Sequence, residues 1–283
     1  MRLDKFLADM GVGSRSDLKK AIRKSLVTVN GAVEKDPGAQ VSAEDHICFD
    51  GAEIRYAEQQ YYMLHKPAGV LSASEDRRQT TVVDLINLND ELVRKDLFPV
   101  GRLDKDTEGL LIITNDGPLA HQLLVPKHHI DKTYYAIVTG TITEDDQRAF
   151  TRGIRYDEKL TALPATLRVL STGKTVADLR RELGFTTTSE RFLRTRLAGP
   201  AFIGAEEPAD ITDDTLVSEV EITIQEGKFH QIKKMVKALP GGKEILYLRR
   251  ISMGALRLDP NLAPGEFRKL SEDEIKILKK ETE

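Results

Sequence analysis

Asp104 stands between two cations in the stretch Gly101-Arg102-Leu103-Asp104-Lys105-Asp106-Thr107-Glu108-Gly109. The apolar run Leu110-Leu111-Ile112-Ile113 follows, and Asn115-Asp116-Gly117 closes it. The pattern predicts a loop that delivers charge to the lip of a buried strand, a common mounting for reactive groups. A carboxylate held there by a cation can serve as a nucleophile or as an acid or base. The plainest competing reading is a surface loop whose carboxylates pair with Arg102 and Lys105. A calcium loop is another, because Asp104, Asp106, Glu108 and Gly109 fit positions one, three, five and six of an EF-hand. It fails at position twelve, where Asn115 replaces the bidentate Glu, and it needs flanking helices where the sequence reads as strand. An Asp-nucleophile phosphatase wants D-x-D-x-(T/V), but Thr107 follows Asp106 directly and Glu108 takes the place of the Thr.

Further segments carry chemistry-bearing residues at fixed spacing. They are Lys66-Pro67-Ala68-Gly69 with Ser72, Lys132-Thr133-Tyr134, and Glu226-Gly227-Lys228-Phe229-His230-Gln231-Ile232-Lys233-Lys234-Met235. Leu248-Arg249-Arg250-Ile251 follows with Gly254 and Leu256, then Leu262-Ala263-Pro264-Gly265-Glu266. With the R-L-D triplet, and in this order, they closely resemble the motifs of pseudouridine synthases, in particular the RsuA-like ribosomal RNA family. The resemblance covers most of the chain outside residues 172–213.

The resemblance implies that Asp104 is the catalytic nucleophile and Lys233 its cationic partner. An enclosed carboxylate needs such a partner to stay ionised, and Lys offers a single-point contact where Arg would offer a fork. Tyr134 would stack on the target uracil or take a proton from the sugar. Arg102 would fill the gap left by a flipped base or clamp a phosphate. Lys66 is expected among the RNA-binding residues, and His230 is expected to fix the loop that presents Lys233. Isomerising uridine to pseudouridine breaks the glycosidic bond, turns the base and joins a carbon of it to the same sugar. No redox change occurs and no atom is added, so neither cofactor nor metal is expected. The sequence offers no P-loop and no dinucleotide glycine fingerprint. Whether Asp104 attacks the anomeric carbon or the base, or assists elimination to a glycal, stays open. His128-His129 invites a metal reading, but adjacent side chains seldom converge on one ion and no Cys or third His is near. The pair is expected to contact RNA or to pack, and its place before the K-T-Y motif resembles the small-subunit type.

The elements that must position these groups read as an α/β (α+β) chain in two domains, 1–57 and 61–283. In the first, Leu3, Phe6, Leu7 and Met10 lie on one helix face. Ser14 caps a second helix, with Asp17 three positions on. Asn30-Gly31 between Val27-Thr28-Val29 and Ala32-Val33 signals a hairpin. Helix, basic helix, hairpin resembles the S4-type RNA-binding domain. Arg2, Lys5, Ser14, Arg15, Lys19, Lys20 and Arg23 are its expected contacts, gripping phosphate and shape. The competing reading is a solvated basic face. A polar linker is expected at Glu58-Gln59-Gln60. In the second domain strands are expected at 61–64, 110–113, 134–138 and 220–224. Helices are expected after Pro118, after Lys233 and after Ser271. The family's fold implies a mixed, largely antiparallel sheet with a central cleft. Residues 172–213 look like an insertion with a basic and an acidic half, read as a surface excursion or as an extra RNA grip.

The whole chain carries a net charge of −3, which does not advertise a nucleic-acid binder. The charge is segregated, however: residues 1–30 hold seven Lys or Arg against three Asp, and residues 31–57 hold two against six acids. Such a distribution can bind phosphate locally. No apolar run reaches the length of a membrane span, and the first residues lack a signal-peptide pattern. Cys48 is the only cysteine and reads as a small strand residue. A cytoplasmic monomer acting on ribosomal RNA or a ribosome assembly intermediate is therefore expected, with the 16S small-subunit RNA as substrate. A 23S large-subunit enzyme is the nearest alternative. A non-catalytic RNA-binding assembly factor is the rival from another class, and intact Asp104, Tyr134 and Lys233 speak against it.

Overall fold

Burial of Leu3, Phe6, Leu7 and Met10 seats the first helix, α1 (Leu3–Asp9), on the core of the N-terminal domain. The computed structural model describes residues 1–54, 59–87, 96–158, 160–182 and 211–282. Helix α2 (Arg15–Arg23) begins at Ser14, whose side chain accepts the Asp17 N–H and whose hydroxyl donates to the Asp17 carboxylate. Strands β1 (Val27–Val29) and β2 (Ala32–Val33) form the expected hairpin, with Asn30 and Gly31 both left-handed at φ 49° and 81°. Asp50 and Gly51 make a second such turn, at φ 48° and 80°, between β3 (Ile47–Phe49) and β4 (Ala52–Ile54). The four strands lie in the order β2-β1-β3-β4. Of the expected linker, Glu58 lies outside the described residues, and Gln60 is tied to the second domain through its N–H to Asn115 Oδ1 at 2.8 Å.

The second domain is built on a nine-stranded sheet. Its strands are β5 (Tyr61–Lys66), β6 (Phe98–Pro99), β7 (Glu108–Thr114), β8 (Lys132–Thr139) and β9 (Thr166–Thr175). They continue with β10 (Leu216–Ile224), β11 (Ile245–Met253), β12 (Leu256–Arg257) and β13 (Phe267–Lys269). The path runs β13-β5-β7-β11-β8-β10-β9, with β6 on β7 and β12 on β11. Among the described pairs only β7 and β11 run parallel, so the sheet is mixed and largely antiparallel as expected.

The helices are α3 (Val82–Asn87), α4 (Gly117–Leu124), α5 (Glu144–Arg152), α6 (Val176–Glu182), α7 (Gln231–Lys237) and α8 (Glu272–Lys280). Both faces of the central strands are covered, so β5 and β7 are buried at every position. Tyr62, Leu64, Leu111 and Ile113 pack in one core with α3, α5 and α7. Tyr61, Met63, Leu110 and Ile112 pack in a second core with α4 and α8. Gly109 sits at the parallel junction, opposite Arg250, with φ 106°. A Cβ there would lie 2.2 Å from the Arg250 carbonyl oxygen, so no side chain fits.

The expected insertion begins as regular structure. Strand β9 runs on to Thr175 against β10, and α6 follows with Val176 and Leu179 buried beside Ile137, Val217 and Leu246. The reason is an apolar face on residues 176–179 that the sheet can cover. Residues 183–210, which hold most of the expected charged halves, lie outside the described residues.

Candidate active site

Asp104 lies on the loop between β6 and β7, and the K-P-x-G segment braces that loop from beneath. Lys66 Nζ donates to the carbonyl oxygens of Pro67 (2.9 Å), Thr107 (2.9 Å) and Lys105 (3.2 Å). Gly69 N–H donates to the Lys105 carbonyl at 2.8 Å. The Ser72 hydroxyl accepts from Leu103 N–H (3.1 Å) and donates to the Leu103 carbonyl (2.8 Å). Thr107 N–H closes the turn on the Asp104 carbonyl at 3.0 Å. Lys66 was expected to meet RNA, yet it is wholly buried with its ammonium directed at loop carbonyls. Burial pushes its pKa down to about 8, against the opposing pull of Asp106, Glu108 and Asp104.

The cationic side comes from the segment that joins β10 to α7. Glu226 Oε1 accepts from Leu163 N–H (3.0 Å) and from Gln231 Nε2 (2.6 Å), and Gln231 Oε1 accepts from Lys228 N–H (2.9 Å). Glu226 and Gln231 are both buried, so these two motif residues shape the turn. The turn forces His230, the N-cap of α7, into a left-handed conformation at φ 53°. One helical turn later, Lys233 Nζ stands 3.2 Å from Asp104 Oδ2 and 2.5 Å from Asp106 Oδ1. His230 Nε2 lies 3.7 Å from the other Asp104 oxygen. The sequence reading anticipated Lys233 beside Asp104 and missed Asp106. The signal was present: two carboxylates at i and i+2 in a tight turn can face one cation.

These groups line one open cleft. Asp104 and Arg102 come from the loop, Tyr134 from β8, and His230, Gln231 and Lys233 from the α7 junction, with Ile224 and Leu248 as apolar walls. Tyr134 is buried and Arg102 exposed. The arrangement sets a partly buried carboxylate, a cation and an aromatic ring around a space open to one side. That set can attack or stabilise an electrophilic carbon and stack on a flat heterocycle. His128 and His129 fall between α4 and β8, and neither lines the cleft. Among the described residues no group of three His, Cys, Asp or Glu is set to hold a metal.

In the N-terminal domain Arg2, Arg15 and Lys19 converge on the buried carboxylate of Asp4, at 3.1, 3.2 and 3.9 Å. The Arg2 hydrogen bond holds that carboxyl below its ordinary range, with Arg15 adding to it and burial opposing. Lys20 reaches Asp17 at 3.3 Å, while Lys5 and Arg23 are exposed. The Ser14 hydroxyl serves the α2 cap. The basic face thus exists, but three of its cations are held in place by one acid that sequence periodicity did not reveal. No helix among the described residues is long and apolar enough to cross a membrane.

Residues 60–238 match the model of the RNA pseudouridylate synthase family, and residues 1–47 match that of the S4 domain. An uncharacterized RNA pseudouridine synthase of Bacillus subtilis, YtzG, is 38% identical over 98% of both chains. Ribosomal small subunit pseudouridine synthase A of Pasteurella multocida is 34% identical over 99% of this chain and 100% of its own. A crystal structure of a pseudouridylate synthase superposes with a TM-score of 0.57 at 32% identity, covering 98% of this chain and 99% of that one.

Proposed function

The chain belongs to the RNA pseudouridylate synthase family, and from that premise we propose that it isomerises a uridine of small-subunit ribosomal RNA, with Asp104 as the nucleophile. The observation that carries the site assignment is the convergence of Asp104, Lys233 and Tyr134, from three separate chain segments, on one cleft. Lys233 offsets one of the two carboxylate charges on the loop and bridges Asp104 and Asp106, holding Asp104 at the cleft. Tyr134 offers its ring to the uracil. Arg102, exposed at the cleft, meets the RNA backbone or fills the gap in the stack. A target base must leave its stack to reach a recessed carboxylate. In the reaction the bond from the sugar to N1 breaks, the uracil turns, and C5 takes the sugar carbon. The C5 proton leaves and N1 ends protonated, so atoms balance without a co-reactant.

The N-terminal domain supplies affinity through Arg2, Lys5, Arg15, Lys19, Lys20 and Arg23 against phosphate. The protein works as a cytoplasmic monomer on ribosomal RNA or an assembly intermediate. Support for the small subunit comes from relatives that bear that name and align over nearly their whole length. Mapping pseudouridine in both ribosomal RNAs, from cells with and without this protein, tests the reading. Loss of one site in the small-subunit RNA is expected. Loss of a large-subunit site, or of none, overturns it.

A further inference from the structure

Phe229 is the most exposed large apolar side chain among the described residues, at 74%. Scattered exposed hydrophobics are ordinary, but three observations set this one apart. First, it occupies the turn that shapes the cleft, directly before His230, which lies 3.7 Å from Asp104. Second, its ring has a partner: it stacks on the His230 imidazole with centroids 3.8 Å apart and planes 20° from parallel. His230 is itself at a left-handed φ of 53°, an uncommon conformation for a non-glycine residue that recurs at functional sites. Third, a cation lies beside it: Lys234 Nζ is 5.7 Å from the ring centre, while Lys228 pairs with Glu226 and Lys233 with the loop carboxylates.

We propose that Phe229 is a stacking platform for an unpaired RNA base next to the target nucleotide, with His230 as the fixed backing of that platform. The proposal rests on the RNA pseudouridine synthase reading and adds a binding residue to it. The physical need is clear. Extracting one base from a stack costs a few kcal/mol in lost stacking for it and its neighbours. A rigid aromatic ring outside the cleft replaces part of that loss. The ring accepts any base because each has a flat π-face. Lys234, beside the ring, suits an adjacent phosphate.

The chain contains no tryptophan, so Phe229→Trp places its single tryptophan at the site, excited apart from the seven tyrosines. The full-length protein carrying Phe229→Trp and Asp104→Asn, which blocks turnover, is titrated with a single-stranded RNA containing uridine. A matched RNA with abasic positions keeps the phosphates and lacks the bases. Strong quenching by the first RNA and little by the second, at equal saturation, is the expected result. In parallel, Phe229→Leu should raise KM for RNA by roughly 5–100-fold with kcat nearly unchanged, and Phe229→Tyr should restore KM. Equal fluorescence with both RNAs, or a Phe229→Leu enzyme with wild-type KM, overturns the proposal. Wild-type activity on ribosomal RNA is measured alongside. If it is present while the Phe229 effects are missing, only the platform fails. If it is absent while quenching depends on bases, only the substrate reading fails.

Discussion

Lys233 Nζ lies between two carboxylates, 3.2 Å from Asp104 and 2.5 Å from Asp106, on a partly buried loop face. One cation therefore answers two acids, and the closer of them is not the proposed nucleophile. Asp106 anchors Lys233, which leaves the Asp104 carboxylate paired at longer range and directed at the cleft.

Lys233→Met should cut turnover by about 10²–10³-fold, the scale seen when a charge-stabilising group is removed from a closed site. Lys233→Arg should keep much of the activity. Lys234→Met should cost far less, because Lys234 reaches toward Phe229 instead of the carboxylates. Asp106→Asn should lower kcat with little change in KM by loosening the anchor. Single-turnover rates on one RNA substrate check all four. Equal losses at 233 and 234 would contradict the pairing.

Lys66 gives a pH signature in stability. Its native pKa falls to about 8 from an ordinary 10.5. Between those values the unfolded chain holds a proton that the native chain has lost, so stability rises with pH across that window. Lys66→Met lacks this group. On raising pH from below 8 to 10.5, wild type should gain up to about 3 kcal/mol relative to the variant. Lys132, also lowered to about 8 by burial, is present in both proteins and cancels. At neutral pH the variant should be less stable by about 1–3 kcal/mol, since loop carbonyls lose their donor. Urea titrations at several pH values measure both effects. A difference that does not vary with pH would mean Lys66 is not the buried brace described above.

The N-terminal basic face should supply affinity without chemistry. Arg15→Glu would set an acid against the buried Asp4, so reversals at Lys5, Lys20 and Arg23 make the cleaner variant. The triple reversal should lower the salt slope of RNA binding by roughly two to three. Saturating RNA should restore kcat. Binding that keeps its wild-type salt dependence would reduce this face to a solvated surface.

Much of the site was legible because its motifs resemble those of the pseudouridine synthases. A carboxylate, a cation and an aromatic ring in ordered motifs led to Asp104, Lys233 and Tyr134, which the fold brings to one cleft. Lys66 shows where such reading ends. A motif lysine looks the same whether it greets a phosphate or props a loop, and only burial separates the two. Asp4 was hidden for a related reason: its convergence with Arg2, Arg15 and Lys19 depends on how α1 packs beside α2. The Asp50-Gly51 turn was legible and passed unread. The strands were plain from their apolar runs, whereas the parallel contact of β7 and β11 is a long-range pairing with no local signature beyond Gly109. Phe229 drew no role from its place in the Glu226–Met235 motif, because nothing in periodicity distinguishes a core ring from one held out to solvent.

In the proposed reaction Asp104 performs the chemistry. Asp104→Asn preserves shape and removes the charge that faces Lys233. No detectable pseudouridine is expected in single-turnover reactions of this variant with ribosomal RNA, together with RNA affinity close to wild type. Turnover within tenfold of wild type, a barrier change of about 1.4 kcal/mol or less, would contradict it.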